Sequence, residues 1–327
     1  MKKPKVLLTR ILPQPGMDIL TKYCDLEVYD KNEAMPRERL MERVRDKAGL
    51  ICLLSDRIDK AIMRAGARLR IIANYAVGYN NIDISEAAKR SIYVTNTPGV
   101  LTDTTADLAF ALLISVARRI PEADRYVREG TFTGWEPMLL LGTDVHDKTL
   151  GIIGFGRIGR ALARRAHGFG MRILYYEPER LSVDIEKQYC AEYKALDDIL
   201  RESDFMSIHV PLTDTTHHLI AKPQFALMKE SAFLINTSRG PVVDEHALVA
   251  ALKKKVIAGC ALDVFEREPA VEQELTAMPN VVLTPHIGSA SVHTRTQMAF
   301  MVAKDVIAVL IHGQKPAHEV LTDLRLQ

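Results

Sequence analysis

The sequence predicts an α/β protein of two doubly wound parallel-sheet domains with a cleft between them. Three observations predict it. The 327 residues exceed what a single hydrophobic core usually holds. Short apolar runs alternate with amphipathic stretches along nearly the whole chain, and such alternation implies right-handed crossovers between parallel strands. The alternation is broken once, at Pro98-Gly99 and the Ala- and Leu-rich stretch behind it.

In the first hundred residues Val6–Thr9, Leu26–Tyr29, Leu50–Leu53, Ile71–Ala73 and Ile92–Val94 read as strands. Between them Met17–Tyr23, Arg37–Arg45, Asp59–Ala65 and Ile84–Arg90 carry apolar residues at helical spacing. Asp103–Arg118 reads as a helix long enough to join two domains. Residues Arg128–Gly142, with three glycines, Pro137 and the sole tryptophan, Trp135, read as irregular. A second alternating series starts at Thr149. Its strands are Leu150–Ile153, Arg172–Tyr176, Cys190–Tyr193, Phe205–His209, Phe233–Asn236, Gly259–Leu262 and Val281–Leu283. One strong helix, Arg295–Ile311, follows.

Composition narrows the partners. Net charge is +2, and Lys and Arg interleave with Asp and Glu rather than forming blocks, so neither nucleic acid nor a membrane surface is expected. A small molecule or a second copy of the chain is. The four cysteines, Cys24, Cys52, Cys190 and Cys260, are spaced for neither a zinc site nor a disulfide framework. Cys52 and Cys260 read as buried small hydrophobes. The adjacent pair His217-His218 is not spaced for ligation and reads as a solvated turn, so no metal is expected. No run of about 18 apolar residues and no signal-peptide core is present, and a cytoplasmic location is expected.

The string Gly154-Phe155-Gly156-Arg157-Ile158-Gly159 follows the strand Thr149–Ile153 and opens a helix read as Arg157–Phe169. Glycine triplets recur by chance, but here strand, loop, helix, second strand and terminal acid fall in register. That is the pattern of a Rossmann dinucleotide-binding domain. The first glycine allows the tight turn, the second lets backbone approach a pyrophosphate, and the third brings helix against strand. Free amides at the helix start would hold the phosphates. Glu177 lies about eighteen residues past Gly159, where an acid accepts both ribose hydroxyls of NAD. A 2′-phosphate there would meet a carboxylate, so NAD(H) is predicted over NADP(H), with Arg180 close enough to blunt the preference.

Four polar residues sit where apolar strands, read as buried, run out: Glu177 after Met171–Tyr176, Arg239 after Phe233–Asn236, Glu268 after Gly259–Phe265 and His286 after Val281–Leu283. Ligands of an open parallel sheet bind outside the carboxyl ends of its strands. A guanidinium, an acid and an imidazole on that edge predict a reaction centre: Arg239 to grip a carboxylate, His286 to move a proton, Glu268 to stabilise the imidazolium.

These residues lie in motifs that resemble the D-2-hydroxyacid dehydrogenases over nearly the whole chain. The motifs are Asn74-Tyr75-Ala76-Val77-Gly78-Tyr79-Asn80-Asn81-Ile82-Asp83, the glycine string, Ile235-Asn236-Thr237-Ser238-Arg239-Gly240, Ala261 through Pro269, and Thr284-Pro285-His286-Ile287-Gly288-Ser289. Through Trp135-Glu136-Pro137 and Leu141-Gly142 the chain looks most like the glyoxylate and hydroxypyruvate reductases. The resemblance implies that Arg239, Glu268 and His286 form a catalytic triad and that the Val77-Gly78 backbone holds the substrate carboxylate. It implies that Asp263 meets the nicotinamide carboxamide, while His209, Val210, Pro211, Thr237, Ser238 and Gly288 line the cofactor. It further implies a flavodoxin-like substrate domain, residues 1–98 with 289–327, an NAD-binding domain, residues 99–288, and a homodimer built by an arm at about 101–142. Glyoxylate reductases often carry a small or basic residue where this chain has Glu177.

The expected reaction is reduction of a small 2-oxo acid by hydride transfer, with Leu53, Leu54, Trp135 and Met138 as candidates to shape the pocket. A phosphite or formate dehydrogenase on the same scaffold is the enzymatic alternative. The lysine of phosphite enzymes is replaced by Val77, and the amide of formate enzymes by Glu268. A non-catalytic, NAD-sensing corepressor-like protein is the alternative of another class.

Overall fold

The computed structural model describes residues 2–31 and 33–320; the end of the expected 289–327 segment lies outside the described residues. The chain divides into two compact units, one drawn from Met1–Leu101 and Ser289–Gln327, the other being Thr102–Gly288.

In the first unit β1 (Lys5–Leu8), β2 (Asp25–Val28), β3 (Gly49–Cys52), β4 (Ile71–Asn74) and β5 (Tyr93–Thr95) form one sheet in the order β2-β1-β3-β4-β5. Every pairing is parallel, with Leu7 opposite Leu50 and Leu50 opposite Ile72. This is the doubly wound order of flavodoxin-like sheets. β3 and β4 are buried at every position because helices cover both faces of an inner parallel strand. The helix Val292–Leu310 packs on Gln14–Tyr23 so closely that a Cβ on Gly16 would stand 2.5 Å from the Ala299 Cβ. The Arg70 guanidinium also donates to the Val309 carbonyl at 2.8 Å.

The second unit contains β6 (Thr149–Ile153), β7 (Arg172–Tyr176), β8 (Ala191–Tyr193), β9 (Phe205–Ile208), β10 (Phe233–Asn236), β11 (Gly259–Leu262) and β12 (Val281–Leu283). They form a parallel sheet in the order β12-β11-β10-β9-β6-β7-β8. The order reverses between β6 and β9, which makes the carboxyl end of β6 a topological switch point. Two apolar layers sandwich the sheet, one around Leu113, Ile152, Leu162 and Tyr175, the other around Ile153, Met206, Leu248 and Leu262. The helices Thr102–Ala117 and Arg157–His167 lie together in the first layer and are joined by Arg165 to Asp107 at 2.6 Å and Arg164 to Asp103 at 3.0 Å.

Several elements depart from the sequence reading. The first helix starts at Gln14, because Pro15 is tolerated in a first turn that has no N–H to satisfy. The long helix stops at Ala117, and a second one, Ile120–Arg128, follows Arg119, whose φ of 54° is left-handed. Cys190 is not in β8: it is exposed and has φ 41°. The strand β12 is half-buried throughout rather than buried, because it forms the edge of its sheet. Cys52 and Cys260 are fully buried, as their apolar runs predict. Among the described residues no helix is long and apolar enough to cross a membrane.

Candidate active site

The strands β10, β11 and β12 are neighbours in register, Asn236 opposite Leu262 and Leu262 opposite Leu283, so their carboxyl ends finish side by side. Arg239 leaves the end of β10 in an extended conformation (φ −143°). Its carbonyl accepts from Asn236 Nδ2 at 3.0 Å and its guanidinium Nη1 donates to the Ser238 carbonyl at 2.7 Å. Burial pulls its pKa down and the Glu268 charge pushes it up, the net direction being down; a guanidinium remains cationic regardless.

Glu268 and His286 meet directly, Oε2 to Nδ1 at 2.9 Å. The other Glu268 oxygen accepts the Phe265 N–H at 3.0 Å. Burial works to raise the Glu268 pKa, but the hydrogen bond and charge of His286, the Phe265 N–H and the Arg239 charge outweigh it and hold the carboxyl below its ordinary range. His286 itself has φ 54°, a left-handed backbone that a non-glycine residue adopts only when its surroundings impose it. The imposing group is Asp263, which is almost fully buried. Its Oδ1 accepts from Thr284 Oγ1 at 2.6 Å and from the Ile287 N–H at 2.8 Å, and its Oδ2 accepts the Gly288 N–H at 2.7 Å. Three of about four acceptor positions on the Asp263 carboxylate are therefore taken by the turn that carries His286. Sequence reasoning placed Asp263 against the coenzyme and did not see this task.

The glycine loop sits at the switch point. Gly154 has φ +93°, and a Cβ there would stand 2.6 Å from the carbonyl carbon of His209 and 2.8 Å from the Val210 nitrogen. A Cβ on Gly159 would stand 2.2 Å from the Gly154 carbonyl oxygen, whereas one on Gly156 would meet nothing within 4 Å. The first and third glycines are thus demanded by packing, and the second leaves an open face. The helix Arg157–His167 begins there with no side-chain cap, so its first amides are available to an anion. Phe155 lies behind the loop, stacked on Tyr175 at 4.6 Å between centroids, and Ile158 packs into the same apolar layer.

Glu177, at the end of β7, accepts the Phe155 N–H at 2.5 Å, which ties it to the glycine loop. Burial raises its pKa, opposed by that N–H and by Arg160. Arg180 does not turn toward it: its Nε and Nη2 each donate to Glu186 at 2.8 Å. His209 bonds the Ser207 hydroxyl at 2.8 Å, and burial drops its pKa to about 3, so the ring is neutral at pH 7. Val210 is buried and Pro211 exposed. Ser238 Oγ donates to Asn236 Oδ1 at 2.8 Å. The Thr237 hydroxyl is buried without a hydrogen-bond partner, which costs about 1–3 kcal/mol unless a bound group supplies one. The open face at Gly156, the uncapped helix and this orphaned hydroxyl fit a dinucleotide.

In the first unit Val77 and Gly78 follow β4. Their carbonyls accept the side-chain amides of Asn96 at 2.7 Å and Asn74 at 2.8 Å. Leu53, at the end of β3, is locked by the Asp56 carboxylate on its N–H at 2.8 Å and by Asn81 on its carbonyl at 3.0 Å. Sequence reasoning missed these asparagines as braces, although Asn74 and Asn81 fall within the first motif quoted. Trp135 and Met138 lie 83% and 74% exposed, so the chain alone does not enclose them in a pocket. His218 is no idle turn residue, since its Nε2 lies 3.0 Å from Glu266 Oε1. Among the described residues no group of three or more His, Cys, Asp or Glu could hold a metal ion.

The chain is similar to proteins of known name. Residues 110–288 match the D-isomer specific 2-hydroxyacid dehydrogenase, NAD binding domain. A glyoxylate reductase of Thermococcus litoralis is 52% identical over 326 residues, 98% of each chain. A solved protein of Thermus thermophilus superposes with a TM-score of 0.89 at 43% identity, covering 97% of this chain and 100% of that one. An NADPH-dependent glyoxylate/hydroxypyruvate reductase of Sinorhizobium meliloti, solved with NADP and malonate, reaches a TM-score of 0.86 at 33% identity, over 98% and 97% of the two chains. A nicotinamide dinucleotide is the cofactor that this domain takes, and the chain belongs to the D-isomer specific 2-hydroxyacid dehydrogenase family, whose members are oxidoreductases.

Proposed function

We propose that the protein is an NAD(H)-dependent reductase of small 2-oxo acids, glyoxylate or hydroxypyruvate, that forms the corresponding 2-hydroxy acid, achiral glycolate from the first and the D isomer of glycerate from the second. The observation that carries this reading is the 2.9 Å contact of His286 Nδ1 with Glu268 Oε2, within the electrostatic reach of Arg239. With Nδ1 tied to the carboxylate, Nε2 is the nitrogen that presents a proton to the substrate oxygen. Glu268, held ionised, stabilises the ring while it carries that proton. Arg239 offers a planar fork of donors to the carboxylate and carbonyl oxygens, and orientation of this kind can supply several kcal/mol, of the about 7–11 available to ideal positioning. A nicotinamide dinucleotide held at the glycine loop would supply the hydride for reduction and accept it in reverse. In that direction His286 takes the hydroxyl proton as a base.

We assign the N–H groups of Val77 and Gly78 to the substrate carboxylate and Leu53 to the substrate's side-chain pocket. The dinucleotide is assigned to Gly154, Gly156, Arg157, Ile158, Gly159, His209, Val210, Pro211, Thr237, Ser238 and Gly288, with the remaining acceptor position of Asp263 turned to its carboxamide. NAD is read as the preferred coenzyme because Glu177 places a carboxylate at the end of β7, while the cation that could offset it, Arg180, is occupied by Glu186. The similar reductase of Sinorhizobium meliloti is NADPH-dependent.

A homodimer is read from the arm. The helix Ile120–Arg128 buries none of its residues, and Val127, Phe132, Trp135, Met138 and Leu141 are all more than half exposed, a run of apolar surface of the kind a second copy covers. A cytoplasmic location accords with four free cysteines, one of them exposed.

The test is consumption of NADH with a panel of 2-oxo acids, together with the reverse assay on glycolate, on D- and L-glycerate, and on phosphite and formate. Turnover of glyoxylate or hydroxypyruvate and oxidation of D- but not L-glycerate are expected. Coenzyme binding with no turnover of any 2-oxo acid would sink the reading.

A further inference from the structure

We propose that Glu266 and Glu245 form a reciprocal clasp that fixes the segment carrying Glu268 against the segment carrying Arg239, which makes both of them positioning residues for the reaction; the proposal rests on the catalytic reading above.

The geometry is a closed ring of two residues. The Glu266 N–H donates to Glu245 Oε1 at 2.6 Å, and the Glu245 N–H donates back to Glu266 Oε2 at 3.2 Å. Each backbone is thus held by the other's side chain. Glu245 is the first residue of the helix Glu245–Lys253, where an unmet N–H and a positive helix end both favour a carboxylate. The remaining Glu266 oxygen, Oε1, is braced by His218 Nε2 at 3.0 Å.

The clasp grips a specific peptide. A Cβ on Gly240, the residue after Arg239, would stand 1.9 Å from the carbonyl carbon and oxygen of Phe265 and 2.4 Å from the Glu266 nitrogen. The Phe265–Glu266 peptide therefore lies flat on the Gly240 backbone. The Phe265 N–H, at the near end of the same stretch, is the donor that orients Glu268 Oε1. Holding Glu266 consequently sets two things at once: how closely the Arg239 segment approaches, and where the Glu268 carboxylate points.

Stability alone does not account for this construction. Glu245 is 4% exposed, and its pKa is raised by burial and by the charges of Glu266 and Glu272, against the opposing pull of the Glu266 N–H and the Arg267 charge. Two acids brought together out of water are a costly tie between a helix and a loop, and an apolar pair would hold them with less penalty. What the acids add is direction, since each hydrogen bond fixes an angle as well as a distance.

The experiment compares Glu266→Ala, Glu266→Gln, His218→Ala and, as a control on the catalytic reading, Glu268→Gln, in the full-length protein. Turnover, the coenzyme dissociation constant and the thermal midpoint are read for each. Glu266→Ala is expected to lower kcat by about 10- to 100-fold, the scale of a displacement near 1 Å, with coenzyme binding changed less than about twofold. Glu266→Gln should restore most of the rate, because its amide oxygen still accepts the Glu245 N–H. His218→Ala, a partly exposed position, keeps the test open should Glu266→Ala fail to fold, and is expected to lower kcat by about three- to tenfold with the midpoint little changed.

Parental kcat in Glu266→Ala or His218→Ala, beside a crippled Glu268→Gln, would overturn the clasp and leave the catalytic reading standing. So would a lowered midpoint and weakened coenzyme binding that Glu266→Gln does not rescue. Full activity of Glu268→Gln would overturn the catalytic reading, and the clasp with it.

Discussion

Asp263 and Gly288 are joined by a 2.7 Å hydrogen bond from the Gly288 N–H to Oδ2, and with Oδ1 on Thr284 and Ile287 the carboxylate grips the turn of His286 from both sides. The left-handed backbone of His286, a strain of about 1–3 kcal/mol, persists because three hydrogen bonds to one buried carboxylate over-determine the turn. An amide in place of that carboxylate has a donor where an acceptor is needed. Asp263→Asn is therefore expected to lose one or two of the three bonds and about 10- to 100-fold in kcat. Steady-state kinetics with calorimetric coenzyme binding checks it: a loss confined to coenzyme affinity would assign Asp263 to the carboxamide alone.

Arg239→Lys is expected to lower kcat/KM by at least about 100-fold, because an ammonium point charge replaces a planar fork that carries orientation as well as charge. Arg239→Ala should lose both turnover and substrate affinity. An unchanged KM in the alanine variant would remove the carboxylate-anchor role.

His286→Ala is expected to cost about 10²- to 10⁴-fold in kcat, the range of a lost general acid–base. Single-turnover measurement at saturating coenzyme reads the chemical step, and near-parental turnover would exclude His286 as the proton donor.

For Glu268→Gln the sign follows from the direction of the Glu268 shift. A carboxyl held below its ordinary pKa stabilises the fold at pH above the usual glutamate range, and that contribution fades as pH falls through the folded-state value. The variant should therefore lose stability at neutral pH and little at strongly acid pH, read as thermal midpoints across that range. In kinetics kcat should fall by about tenfold or more, because the imidazolium has lost its carboxylate partner. Parental kcat would argue against the pairing.

Glu177→Ser is expected to raise the NADP-to-NAD affinity ratio by about tenfold or more, since like-charge juxtaposition costs several kcal/mol. Combining it with Glu186→Gln, which frees Arg180, should raise the ratio further. Calorimetry with the oxidised coenzymes decides it, and a parental enzyme that already favours NADP would refute the role of Glu177.

Much of the fold is legible in the sequence because its signals are local. The inner strands β3, β4, β9, β10 and β11 are buried at every position and so read as near-continuous apolar runs, interrupted only by Ser207 in β9 and by Asn74 and Asn236 at the ends of β4 and β10. The edge strand β12 is half-buried along its length, a difference that depends on which strand lies beside it. The glycine string is legible for the same local reason: a positive φ at Gly154 and close approaches at Gly154 and Gly159 exclude any side chain. Arg239, Glu268 and His286 could be picked out because each follows a strand. The clasp of Glu245 with Glu266, and the brace of His218, could not, since the partners stand 21 and 48 residues apart and each alone resembles an ordinary surface acid or histidine. A second acid just before Glu268 was the available signal.

The sequence by itself determined which groups are present: a glycine loop, an acid at the end of the strand behind it, and a guanidinium, a carboxylate and an imidazole at successive strand ends. Tertiary structure alone decided how those groups are held: Asp263 on the turn of His286, Glu186 on Arg180, Glu266 on Glu245. The physical reason is that residue type and strand position are written along the chain. The direction of a side chain is set by hydrogen bonds to partners that only folding brings within about 3 Å.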